Sequence, residues 1–141
     1  MRDLLEEAFD HYGIEEITGS DHNPDIVGFF DEIGHSWVRD DETAWCSAFI
    51  NYIAKRTGYE RSGQLTARSW LDVGTEIETP ERGCIVVLWR GSLSSWKGHV
   101  GLYINSDDRY IYILGGNQDN SVCIKRYPKE RLLSYRKLNK T

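Results

Sequence analysis

Apolar residues recur at helical spacing through the first third of the chain. Leu4, Leu5, Ala8, Phe9 and Tyr12 form one stripe that ends at Gly13. A second, Ile26, Val27, Phe29, Phe30 and Ile33, runs between Asn23-Pro24 and Gly34; Pro24 suits a first helical turn and Gly34 a stop. Trp45, Ala48, Phe49, Tyr52 and Ile53 predict a third helix from about Thr43 to Thr57, closed by Gly58. Thr66 to Leu71 can add a short helical turn. After Pro80 the texture changes to short β-rich runs: Cys84 to Trp89, His99 to Ile104, Arg109 to Leu114, Val122 to Tyr127 and Leu132 to Lys137. Helices first and a mostly antiparallel sheet of about five strands second is the α+β arrangement, with the helices on one face of the sheet. No repeat or linker interrupts the pattern, so residues 1–141 are expected to form a single domain, helical over about 1–72 and sheet over about 82–137.

With 141 residues, 40% of them hydrophobic, the chain is long enough to bury a core without crosslinks. A net charge of −5 disfavours a nucleic-acid binder that relies on an overall basic field. The exception is the last stretch, where Lys125, Arg126, Lys129, Arg131, Arg136, Lys137 and Lys140 stand against Glu130 alone. That end can touch an anionic polymer, or form a solvated strand and tail, the simpler reading. No run reaches membrane-spanning length, so no membrane insertion is expected, and Met1 to Gly13 lacks a basic segment followed by an apolar one. The expectation is a monomer without a signal peptide, cytoplasmic as made. Cys46, Cys84 and Cys123 form no C-x-x-C pair, which implies neither a metal site, a redox pair nor a cofactor.

Cys46 opens the third helix beside its apolar stripe, so its sulfur is expected to reach a groove. With Thr43 as N-cap it stands at the third helical position, where orphan N–H groups and the positive end of the dipole favour a thiolate. The competing reading is a small buried hydrophobe. His99 begins a strand after Gly98, placed to meet a cysteine at a helix tip; His11, His22 and His35 have no comparable setting. A base that takes a proton from sulfur works better when a third group fixes its ring. Asn117, in Gly115-Gly116-Asn117-Gln118, can do so, with Gln118 in reserve. A four-residue turn at Asn105 to Asp108 faces Gln118 to the histidine, whereas a three-residue turn or a bulge at the paired glycines selects Asn117, the preferred choice. Gly-Gly-Asn also serves as plain turn chemistry.

Three features taken together resemble a known family: Trp45-Cys46-Ser47-Ala48-Phe49 starting a helix, Gly98-His99-Val100-Gly101 starting a strand, and a polar residue after the next strand. The chain resembles the CHAP and NlpC-like cell-wall hydrolases of the papain-like superfamily, over roughly residues 23–136. Ala67-Arg68-Ser69-Trp70-Leu71 and Leu114-Gly115-Gly116-Asn117-Gln118 look like the small phage-endolysin type. The resemblance implies bacterial peptidoglycan as the partner and cleavage of an amide, by an amidase or endopeptidase, after release from the cytoplasm. It implies Cys46 as nucleophile, His99 as general base and then acid, and Asn117 as the orienting group. The same fold acting on another amide, or a wall-binding module without activity, are the competing readings.

Two departures stand out. Asp40, Asp41 and Glu42 precede the cysteine where a glutamine-type oxyanion donor is common, and these acids are read as helix capping before cation or amine binding. Arg82-Gly83-Cys84 replaces the usual Pro-Gly-Asp, which makes Cys84 structural. Trp96, whose loop precedes His99, is the leading candidate among Trp45, Trp70, Trp89 and Trp96 to line a substrate groove, with Trp70 second. Arg68 can grip a stem-peptide carboxylate or pair with a surface acid.

Overall fold

Residues 3–14, 29, 45–119 and 121–141 are described in a computed structural model of the chain. Helix α1 (Leu4–Phe9) starts with a reciprocal cap: the Glu6 N–H donates to the Asp3 carboxylate at 2.8 Å and the Asp3 N–H to the Glu6 carboxylate at 3.3 Å. The second expected helix lies outside the described residues except for Phe29, which is buried against the Phe49 and Trp45 rings. Helix α2 (Cys46–Thr57) ends at Gly58 with φ +80°, a left-handed stop that glycine adopts without strain. Its start differs from expectation. Trp45 occupies the cap position without a side-chain cap bond, so Cys46 is the first helical residue and not the third; Thr43 lies outside the described residues. A 3-10 helix over Ala67–Asp72 realises the short turn.

Six strands follow: β1 (Thr75–Ile77), β2 (Ile85–Trp89), β3 (Gly98–Ser106), β4 (Tyr110–Gln118), β5 (Ser121–Pro128) and β6 (Leu132–Lys137). All pair antiparallel in one open sheet of order β1-β6-β2-β3-β4-β5. The fold is therefore α+β, with one strand more than the five expected. The extra one, β1, carries too few apolar residues to show alternation. It exists because β6 pairs with it, and because Arg136 donates to the Val73 and Gly74 carbonyls at 2.9 and 3.0 Å. The basic end is thus built into the sheet at Arg136 rather than left wholly in solvent.

Strand alternation sends side chains to two faces. Ile85, Val87, Val100, Leu102 and Leu114 join the main core beneath α2, together with Ala48, Phe49 and Ile53. Val86, Leu88, Tyr103, Ile111, Ile113 and Tyr135 form a smaller cluster on the opposite face. Among the described residues no helix is long and apolar enough to cross a membrane.

Candidate functional site

Cys46 and His99 approach the first residues of β3 from its two sides. The Cys46 sulfur belongs to the core on the helix side of the sheet, near enough to the Val100 backbone N–H for that dipole to favour the thiolate slightly. His99 pairs in register with Leu88, on the face of the smaller cluster. Among the described residues no hydrogen bond links the sulfur to the ring. Cys46 is only 3% exposed, which corrects the expected open sulfur, although it still forms part of the wall of a groove of about 610 Å³ with Leu65, Ala67, Arg90, Trp96 and Lys97. Burial raises its thiol above the ordinary value; the backbone donors and the Arg90 charge oppose this without overcoming it. Desolvation therefore wins over the helix start, and the resting group is a thiol.

The imidazole is fixed with unusual completeness. Gln118 Nε2 donates to the Ile113 carbonyl at 3.0 Å and the Cys123 carbonyl at 2.6 Å, which turns its Oε1 toward His99 Nε2 at 2.9 Å. An amide oxygen only accepts, so Nε2 carries the proton and Nδ1 keeps its lone pair. Tyr127 stacks on the ring at 4.9 Å between centroids, and its hydroxyl lies 3.2 Å from the same Nε2. Burial, with smaller contributions from the Arg90 and Lys125 charges, pushes His99 down to about 4, so the ring is neutral near pH 7.

Gln118, not the preferred Asn117, is the orienting partner. A bulge between Tyr103 and Asn105 leaves Leu102 opposite Leu114, a register whose continuation would bring Asn117 to the histidine's face. Asn117 instead adopts φ +58°, and the β4–β5 pairing shifts between Gly115 and Gln118. The second irregularity restores the parity that the first removed. Asn117 lines a smaller hollow that His99 lines as well.

No protein-family model matches the chain, and no curated protein does either.

The remaining candidates separate by burial. Trp96 is 71% exposed and lines the groove beside Cys46. Trp70 is fully buried and donates to Ser47 Oγ at 2.9 Å, so it cannot line a groove. Ser47 in turn donates to the Gln64 carbonyl, and Asn51 bridges Ser47, Gln64 and the Gly63 N–H; this network holds the start of α2 against the segment before the 3-10 helix. Arg68 is a scaffold rather than a grip for a ligand. Its guanidinium donates to the Ser92, Leu93 and Lys97 carbonyls at 2.7 to 2.8 Å and so shapes the loop that carries Trp96. Cys84 is buried with its thiol pushed up to about 11, and no cysteine is bridged. Asp40, Asp41 and Glu42 lie outside the described residues.

Sequence reasoning missed Tyr127 and Arg90. Period-two alternation along β5 puts Cys123, Lys125 and Tyr127 on one face, a signal that would have found the tyrosine. Arg90 follows the apolar run of β2, where a cation marks the strand's emergence.

Proposed function

We propose that the protein is a papain-like cysteine hydrolase that cleaves an amide bond of bacterial peptidoglycan. The observation that carries this reading is the His99 tautomer: a ring held by Gln118 so that Nδ1 keeps its lone pair, one strand residue from Val100, whose backbone N–H acts on the Cys46 thiol. The motifs around Cys46 and His99, the α+β order and the groove beside Trp96 support it.

The reaction requires substrate entry to uncover the buried sulfur and bring it within reach of the ring across β3; the Cys46 proton then passes to His99 Nδ1 as the sulfur attacks the amide carbonyl carbon. Collapse of the tetrahedral adduct expels the amine, which takes the proton from Nδ1–H, and leaves a thioester on Cys46. His99 then removes a proton from water, the hydroxide attacks the thioester, and the carboxylic acid departs as the thiol re-forms. Gln118 holds the ring throughout and stabilises the imidazolium by accepting from Nε2–H. At the start of α2 the first intrahelical bond runs from the Phe49 N–H to the Trp45 carbonyl, so the Cys46 N–H has no acceptor within the helix and can face the oxyanion. The charge separation happens only once substrate covers the site, because both groups are neutral at rest.

The burial of Cys46 favours a second reading, a wall-binding module that performs no chemistry. Purified cell walls incubated with the wild-type chain and with Cys46→Ala separate the two. The hydrolase yields soluble fragments whose masses show a new amine and a new carboxylate, and Cys46→Ala yields none. Wild type that binds walls without releasing fragments, or an undiminished Cys46→Ala, defeats the proposal.

A further inference from the structure

His99 also lines a separate hollow of about 190 Å³ whose wall includes Arg90, Lys125, Arg131, Asn117 and Tyr127. Three cations converge there in a chain whose net charge is −5. Lys125 is bonded to Asp119 at 2.7 Å, and the Arg131 guanidinium lies over the Trp89 ring at 5.6 Å. Among the described residues neither Arg90 nor Arg131 has a carboxylate partner. Like charges gathered in a concave wall repel unless something neutralises them, and low-dielectric walls concentrate their field. Asn117 adds an uncharged amide at the rim, put there by its left-handed backbone. The volume suits a small end group and not a sugar or a peptide segment.

We propose that this hollow is an anion subsite that takes a carboxylate of the substrate, with Arg90 and Arg131 as the principal donors. Arg90 also lines the groove beside Cys46, so a single side chain spans both spaces, and a substrate in the groove can reach the hollow with a carboxylate-bearing end. The occupant would also offset the positive field that Arg90 and Lys125 exert on His99. The carboxylate's identity as part of the substrate rests on the hydrolase reading; the anion site itself does not.

The test is calorimetric titration of the Cys46→Ala chain with three probes: a stem tripeptide with a free C-terminal carboxylate, the same peptide as its C-terminal amide, and inorganic phosphate. The free acid is expected to bind at least about tenfold more tightly than the amide, as charge-assisted hydrogen bonds to a partly desolvated group require. Arg131→Gln and Arg90→Gln, each with its fold checked by circular dichroism, are expected to reduce that preference to less than about threefold. Equal binding of acid and amide overturns the proposal, and so does no binding of either. Phosphate binding without acid-over-amide preference assigns the hollow to a free anion and also overturns it, as does a preference that survives both substitutions. A wild-type chain that keeps the preference yet releases no fragments from walls defeats the hydrolase reading and leaves the anion site standing.

Discussion

Protonating His99 would place a charge beneath the smaller apolar cluster, and the fold resists it. The folded ring titrates at about 4 against an ordinary 6.5, so between those values the unfolded chain holds a proton that the folded chain does not. Stability is therefore fully present above pH 6.5 and falls as pH drops through 4, by on the order of 3 kcal/mol. Thermal unfolding across this range should show a steeper decline for wild type than for His99→Gln; parallel curves would remove the assignment. Gln118 acts through that ring. With wild-type turnover as reference, Gln118→Leu is expected to lower kcat by at least about a hundredfold and to alter its pH profile, while Asn117→Ala keeps kcat within about threefold. Equal losses would return the orienting role to Asn117. Cys46 and His99 were legible as candidates because a helix start and a strand start are local signals, whereas the burial of the sulfur and the face taken by the ring depend on packing. Their partner was not, since choosing between Asn117 and Gln118 requires following side-chain parity through two irregularities, one of them a positive φ. Trp70 and Trp96 look alike in sequence; only a neighbour such as Ser47 Oγ sends one indole inward.

Among the elements, α2 depends on how closely β4 passes beneath it. A Cβ on Gly116 would stand 2.6 Å from the Trp45 ring and 3.0 Å from Phe49 Cβ, both on buried residues with no room to retreat. Gly116→Ala should therefore destabilise by about 1–3 kcal/mol, read as a lower urea midpoint with unchanged slope. No change in midpoint would mean that α2 shifts without penalty. The loop over residues 91–97 makes bonds of its own, such as Ser95 N–H to the Ser92 carbonyl, and takes three more from one side chain of the 3-10 helix. Arg68→Ala should accelerate amide exchange at Ser92 to Lys97 by about tenfold or more while leaving β2 and β3 protected; unchanged exchange would show that the loop holds itself. Helix α2 and strands β2 to β6 were visible from periodicity to within a few residues. Strand β1 was not, because its pairing with β6, and not its own composition, makes it a strand. The beginning of α2 was placed too early for a similar reason: Thr43 is the better cap by residue type, and the helix starts at Cys46 without a side-chain cap.

At the scale of the whole molecule, the α+β class follows from helical period giving way to short strands, but the strand order does not. Pattern predicts neighbours in sequence, and β2 to β5 are such neighbours. Strand β6 is different: it sits between β1 and β2, pairing with both. A chain ending after Arg131 would lose one strand from inside the sheet and strand β1 with it. Such a truncation is expected to show no cooperative unfolding transition by circular dichroism, and a sharp transition would refute that dependence. The wedge position of β6 also sets an order of events during translation. Strand β1 and the near edge of β2 cannot find their partner until residues 132–137 have left the ribosome, so most of the polypeptide must wait with unsatisfied sheet edges. The sheet that supports both Cys46 and His99 is therefore complete only once residues 132–137 are free to pair.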